Sequence, residues 1–149
     1  EVGSMALWSV SSFKRNMGVE NVRDNNLETY WQSDAPQNAG HPSSHTLTIQ
    51  FPRLLTLSQL SFYVSYTEDE SYTPKRVAIR AGSGPNELSE MYIINLDKPV
   101  GWINIPLYNT DSEDRAFLRA HIVQLAVLAN HQNGKDSHFR EVRIYTPSG

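Results

Sequence analysis

The sequence predicts an all-β fold, an antiparallel jelly-roll β-sandwich with short helical turns, and three observations carry that prediction. Apolar and polar residues alternate in at least three segments with the period of two that a half-buried strand requires. One run, from Ile122 to Leu128, is apolar at both parities, as a central strand covered on both faces would be. No stretch sustains the 3.6-residue period of a long helix, and about eight strands are separated by loops of uneven length.

Leu7-Trp8-Ser9-Val10 opens the chain as a short β-favouring segment, with Trp8 expected in the core, and the polar stretch Ser11 to Gly18 follows as a loop. Val19, Val22 and Leu27 are spaced for one or two helical turns before Asp24-Asn25-Asn26 breaks them. Ala35 to Ser44 has two prolines, a glycine and no periodicity, which predicts a surface excursion. Strands then follow at Leu47, Ile49, Phe51; at Leu60, Phe62, Val64, Tyr66; and at Val77, Ile79, Ala81. Leu88 to Leu96 is a further strand, and Trp102 to Leu107 another that Pro106 pushes toward a sheet edge, with Trp102 in or near the core. A charged connection, Tyr108 to Arg115, leads to the apolar run, and Arg140 to Thr146 alternates once more.

At 149 residues the chain has the size of one domain, expected to span residues 1–149, and can bury a core without staples. Its 13 Lys+Arg and 16 Asp+Glu are scattered, so no basic stripe exists to neutralise a phosphate backbone, and nucleic acid is not an expected partner. Without cysteine there is no disulfide framework, thiolate nucleophile or Cys-based zinc site, and no Asn-x-Ser/Thr acceptor occurs. No apolar run approaches the roughly 18–20 residues of a membrane helix, and the N-terminus lacks a basic-then-apolar signal pattern. The expectation is a soluble intracellular protein with no membrane partner.

Ala129 to Arg140, held between two strands, is the most chemically loaded stretch. It contains two histidines, two asparagines, an aspartate and a lysine, more than a solvent-facing turn needs. His131, Asp136 and His138, with His121, invite a zinc reading, but their spacing matches no strong ligand pattern and no metal is expected. A hydrolytic triad drawn from His131, Asp136 and the serines lacks the strand-turn-helix context of a nucleophile, and Asp24, Glu28 and Asp34 read as loop-capping carboxylates rather than glycosidase acids. Asn133-Gly134-Lys135-Asp136 predicts a Gly-centred turn. Asn133 and Asp136 either hydrogen-bond their own backbone or meet a ligand, and the ligand could be an extended peptide or a sugar. Tyr30-Trp31 plugs one end of the sandwich or offers a stacking platform. Tyr72, set in Asp69-Glu70-Ser71-Tyr72, packs down as an anchor or presents a contact.

Asp24 to Asp34 is similar to the loop signature of galactose-binding-like and discoidin-type sandwiches. Together with Asp69 to Pro74, Gly101-Trp102-Ile103 and Gln124 to His138, it resembles the Doc domain family, and within it the branch found in the anaphase-promoting complex. The resemblance runs from about Leu7 to Pro147. It implies a non-catalytic, cofactor-free subunit of a multisubunit ubiquitin ligase, present in nucleus and cytoplasm. Such a subunit captures destruction-box substrate peptides jointly with a β-propeller co-activator and promotes processive ubiquitination in the cell cycle. The further partners it implies are repeat-helical and other subunits of the ligase. Carried over residue by residue, the degron-facing positions are Asn130, His131, Asn133, Asp136 and His138, with Ser71 and Tyr72 from a second loop. Doc domains also occur inside larger cullin- and HECT-class ubiquitin ligases. The Ile-Arg ending with which the family docks on its scaffold is not found where this sequence closes, at Pro147-Ser148-Gly149. A chain without that ending is expected to be either a truncated form or an excised domain of such a ligase, and the close loop matches favour the former; a carbohydrate-binding module on the same fold is the alternative expectation of a different class.

Overall fold

The computed structural model describes residues 1–34, 45–109 and 116–147. The excursion expected over Ala35 to Ser44 and most of the charged connection before Ala116 lie outside the described residues. Ten strands fill the rest: β1 (Leu7–Val10), β2 (Trp31–Gln32), β3 (His45–Leu57), β4 (Gln59–Ser65), β5 (Pro74–Gly82), β6 (Leu88–Asn95), β7 (Val100–Pro106), β8 (Leu118–Asn130), β9 (His138–Phe139) and β10 (Glu141–Tyr145). A one-turn helix, α1 (Tyr66–Asp69), and short 3-10 turns, including Val19–Val22, Glu70–Tyr72 and His131–Asn133, complete the architecture.

One sheet has the order β1-β3-β8-β5-β6, a second β10-β4-β7, and a two-stranded ribbon pairs β2 with β9. Every ladder is antiparallel. The apolar run expected at the centre is there: β8 lies between β3 and β5, with Ile122, Val123, Leu125, Ala126 and Val127 all buried. β7 lies at an edge of the smaller sheet, where Pro106, having no N–H to donate, does not interrupt a ladder.

The core fills the space between the two sheets. Leu47, Ile49, Val77, Ile79, Val123 and Leu125 from the larger sheet face Leu60, Phe62, Val64, Ile105, Val142 and Ile144 from the smaller. At one end Trp31 and Phe139, paired across the β2–β9 ribbon, stack with centroids 5.8 Å apart, and Phe62 meets Phe139 edge to face at 5.4 Å. Trp31 donates its indole N–H to the Ser12 carbonyl at 2.8 Å, so its polar atom is satisfied while the ring is fully buried. Trp31 is therefore the plug of the sandwich end.

Two tryptophans depart from the expected core placement. Trp8 is only partly buried, donates to the Gly3 carbonyl at 2.8 Å and carries the Arg23 guanidinium 4.7 Å above its ring. Trp102 sits opposite Tyr63 on the outer face of the smaller sheet, because parity in β7 turns Ile103 and Ile105 toward the core instead. Truncation should separate core from edge: Leu125→Ala should cost about 2–5 kcal/mol, whereas Ile93→Ala, at a position 42% exposed on edge strand β6, should change stability by under about 1 kcal/mol. Urea unfolding of the two variants measures both.

Candidate functional site

The β2–β9 ribbon sets the geometry of one end of the sandwich. Phe139 points into the core, and alternation therefore sends His138 and Arg140 the other way. There they meet Asp69, the last residue of α1. Arg140 grips the Asp69 carboxylate with two hydrogen bonds, Nε to Oδ2 at 2.9 Å and Nη2 to Oδ1 at 2.6 Å, and donates a third from Nη1 to the Leu27 carbonyl at 2.8 Å. His138 Nδ1 lies 3.0 Å from Asp69 Oδ1, and Nε2 lies 2.9 Å from Gln32 Oε1. All three residues are buried.

The His138 ring is also sandwiched. Tyr30 stacks on one side with centroids 3.9 Å apart and Tyr72 stacks at 4.3 Å, the planes tilted by 21° and 11°. Burial pushes the Asp69 carboxyl up, but hydrogen bonds from His138 and Arg140 and their charge outweigh it and hold the pKa below the usual carboxylate value. The loop after α1 is thus bolted to the strand pair that carries the histidine-rich loop.

Backbone contact joins the two loops directly. A Cβ on Gly134 would stand 1.8 Å from the Ser71 carbonyl oxygen, so only glycine permits this approach. The expected Gly-centred turn is corrected here: Gly134 is extended, with φ −60°, and the left-handed residues are Gln132 and Asn133, at φ 55° and 58°. Glu70, at φ 47° and ψ −110°, adds a non-glycine residue with positive φ on the opposite loop.

The seven residues carried over from the family sort into two sets. Asn130 is buried, donates from Nδ2 to the carbonyls of Gly134 and Asp136 at 3.1 Å each, and accepts from Ser137 Oγ at 2.9 Å. His131 is buried, receives the Lys98 N–H on Nε2 at 3.0 Å and directs Nδ1 to the Thr73 carbonyl at 3.0 Å, which fixes its tautomer. His138 completes the buried set. Tyr72 is 39% exposed, Asn133 is exposed, and Ser71 and Asp136 are half-buried. Asn130 is a side chain whose hydrogen bonds cap the loop backbone.

Sequence reasoning missed several members of the site. Asp69 and Arg140 carried no local signal of their pairing, 71 residues apart. His45, in a stretch expected to be flexible and without a role, and Ser33 belong to the site as well: Ser33 Oγ lies 3.1 Å from His45 Nδ1 and donates to Asp136 Oδ1 at 3.3 Å, and His45 Nε2 stands 3.7 Å from the same carboxylate. Burial pushes the His45 pKa below its ordinary value, against the pull of Asp136. Among the described residues no group of three or more His, Asp or Glu side chains converges in a metal-binding arrangement.

Comparison with known proteins bears on the chain as a whole. The family described as "Anaphase-promoting complex, subunit 10 (APC10)" matches residues 1–149. The chain belongs to the anaphase-promoting complex subunit 10 family. It is 47% identical to anaphase-promoting complex subunit 10 of Homo sapiens over 99% of this chain and 75% of that one. Identity to the Saccharomyces cerevisiae subunit DOC1 is 34%, over 99% and 56%. This family thus carries the jelly-roll frame that the strands build. Among solved structures the chain is similar to the family 32 carbohydrate-binding module of C. perfringens NanJ in complex with galactose, with a TM-score of 0.74 over 95% and 94% of the two chains. At 10% identity that likeness concerns the fold.

Two outcomes test the bolted loops. Asp69→Ala leaves Arg140 and His138 buried without their carboxylate and should cost about 3–5 kcal/mol. Because the folded pKa of Asp69 is depressed, its contribution is whole above the unfolded value of about 3.9 and is lost as pH falls through the lower folded value. Urea unfolding across that acid range should show a smaller pH-dependent loss in Asp69→Asn than in the wild type. Gly134→Ala forces the loops apart and should cost about 1–3 kcal/mol, read by the same unfolding measurement.

Proposed function

We infer that the chain is a non-catalytic substrate-recognition subunit of the anaphase-promoting complex ubiquitin ligase. In this reading it contacts destruction-box degrons jointly with a β-propeller co-activator and works in nucleus and cytoplasm alongside repeat-helical and other subunits of the ligase. The observation that carries the reading is the pair of loops at one end of the sandwich, Glu70–Tyr72 and His131–Asn133, locked together beneath an accessible polar rim of Ser71, Tyr72, Asn133 and Asp136. Asn130, His131 and His138 then serve by holding that rim in place.

The arrangement suits one half of a shared site. Tyr72 offers an aromatic edge backed by His138, Asn133 a donor and an acceptor, and Asp136 a carboxylate, enough for modest affinity toward an extended peptide. When a second protein holds the same degron, effective concentration converts that modest contact into a long dwell time, which is what successive ubiquitin transfers require. The chemistry does not suit hydrolysis. Ser33 lies beside His45 and Asp136, but it is fully buried and its Oγ already accepts the Ser137 N–H at 2.8 Å, so no substrate carbonyl reaches it.

Ligase reconstituted with the Tyr72→Ala, Asn133→Ala double variant should assemble normally yet add fewer ubiquitins per substrate encounter, with degron dwell time shortened about tenfold. Single-encounter ubiquitination measures this. Unchanged processivity would move degron contact off this rim. Saturable binding of galactose or another sugar, lost in the same variant and indifferent to peptide and co-activator, would replace the degron with a carbohydrate.

A further inference from the structure

The outer face of the three-stranded sheet carries an aromatic pair beside the hydrogen-bonded polar set Gln59, Ser61 and Asn104. Parity sends Leu60, Phe62, Val64, Ile105, Val142 and Ile144 inward, and the register places Tyr63 and Trp102 side by side on the opposite face, next to Glu141, which has that parity but is buried. Tyr63 and Trp102 meet edge to face at 5.6 Å, and the Arg143 guanidinium lies 4.6 Å from the centre of the Trp102 ring. Tyr, Trp and Arg are the residues that dominate binding energy at protein–protein contacts, because each removes a large area from water around a polar tip. Arg143 also stands 3.6 Å from the buried Glu141 carboxylate, so its charge is compensated within the face.

Next to the aromatic pair, an open cleft of about 500 Å3 has Leu27, Tyr63 and Val100 as its apolar lining. Leu27 is 38% exposed and Val100 58%. Glu28 and Glu68 line the same cleft, are exposed, and among the described residues take part in no salt bridge. Arg140 also lines it, but the bidentate hold of Asp69 cancels that charge. Glu68 also feels the Arg140 charge, yet Glu28 and Glu68 together leave the cleft an excess of negative charge against an apolar wall, a combination that favours a cation on an aliphatic stem and repels phosphate and other anions.

We propose that this face docks a protein partner through a polypeptide segment that sets a lysine or arginine against Glu28 and Glu68 and lays an apolar side chain on Leu27, Tyr63 and Val100. The segment covers the Tyr63–Trp102 pair as it leaves the cleft. None of Ser71, Tyr72, Asn133 and Asp136 lines the cleft, so the docking face stands apart from the degron-facing rim and does not depend on its assignment.

The test uses the full chain, isotope-labelled, titrated with the peptide acetyl-Leu-Arg-Leu-amide and with acetyl-Leu-Glu-Leu-amide. The arginine peptide should give saturable shifts at Glu28, Tyr63, Glu68, Val100 and the Trp102 indole, weakened by added salt. The Glu28→Gln, Glu68→Gln double variant should weaken its binding at least about threefold, and Val100→Ser should weaken it with the unfolding midpoint unchanged. Equal response to the two peptides, shifts centred on Tyr72 and Asn133, absence of saturable shifts, or wild-type affinity in the double variant would each overturn the proposal.

Discussion

The Asp69–Arg140 pair is the interaction on which the loop-bearing end of this molecule, its candidate site, depends. It joins the end of α1 to the β9–β10 junction, and Arg140 carries the link on to the Leu27 carbonyl while His138 carries it to Gln32 on β2. Three stretches distant in sequence, around Leu27–Gln32, Asp69 and His138–Arg140, are therefore tied together through one carboxylate. An ion pair this deeply buried is a poor source of net stability, because removing both charges from water offsets much of their attraction. What it supplies is direction. Hydrophobic residues of the same volume would fill the space, but they would not require α1 to end where it does or Arg140 to reach back to the Leu27 loop.

That fixed frame explains how an irregular, polar loop can be presented rigidly. His131–Asn133 includes two consecutive left-handed residues, and Glu70 on the facing loop has positive φ. Such conformations persist only where the surroundings over-determine them. Here Asn130 spends both donors and its acceptor inside the loop, His131 is tied to Thr73 and Lys98, and Gly134 lies against the Ser71 backbone. A surface ordered beforehand loses little entropy when a ligand arrives, so a few polar contacts suffice for recognition.

The sandwich was legible because strand signals are local. Period two at Leu47–Phe51 and Leu60–Val64, double-parity burial at Ile122–Leu128 and the Pro106 edge each depend on neighbours in sequence, and each appears in the fold. The Doc-like blocks also pointed to the family that the comparison found. What stayed illegible was non-local. Asp69 looked like one more acid in a polar loop, yet it is buried against a residue 71 positions away, and Ser33 meets Asp136 across 103. Gly134 illustrates the same limit: its composition suggested a turn, whereas the reason for glycine is a carbonyl from another loop. Trp102 went to the outer face because parity counts from the residues of β4 and β10, which the tryptophan alone does not reveal.

The same pillar constrains how function can be apportioned over the surface. Tyr72 stacks on His138, and Arg140 lines the cleft beside Glu28 and Glu68, so the loop rim proposed to meet a degron and the sheet face both lean on the Asp69 carboxylate. Removing Asp69, His138 or Arg140 therefore disturbs both faces at once and assigns a function to neither. The side chains that distinguish them stand outside the pillar: Tyr72 and Asn133 on one side, Glu28, Glu68 and Val100 on the other, all exposed and all removable without leaving a buried charge behind. Repacking the pair to suit one of these faces would misplace the other. What the charged pillar contributes, beyond little net stability, is the geometry it enforces.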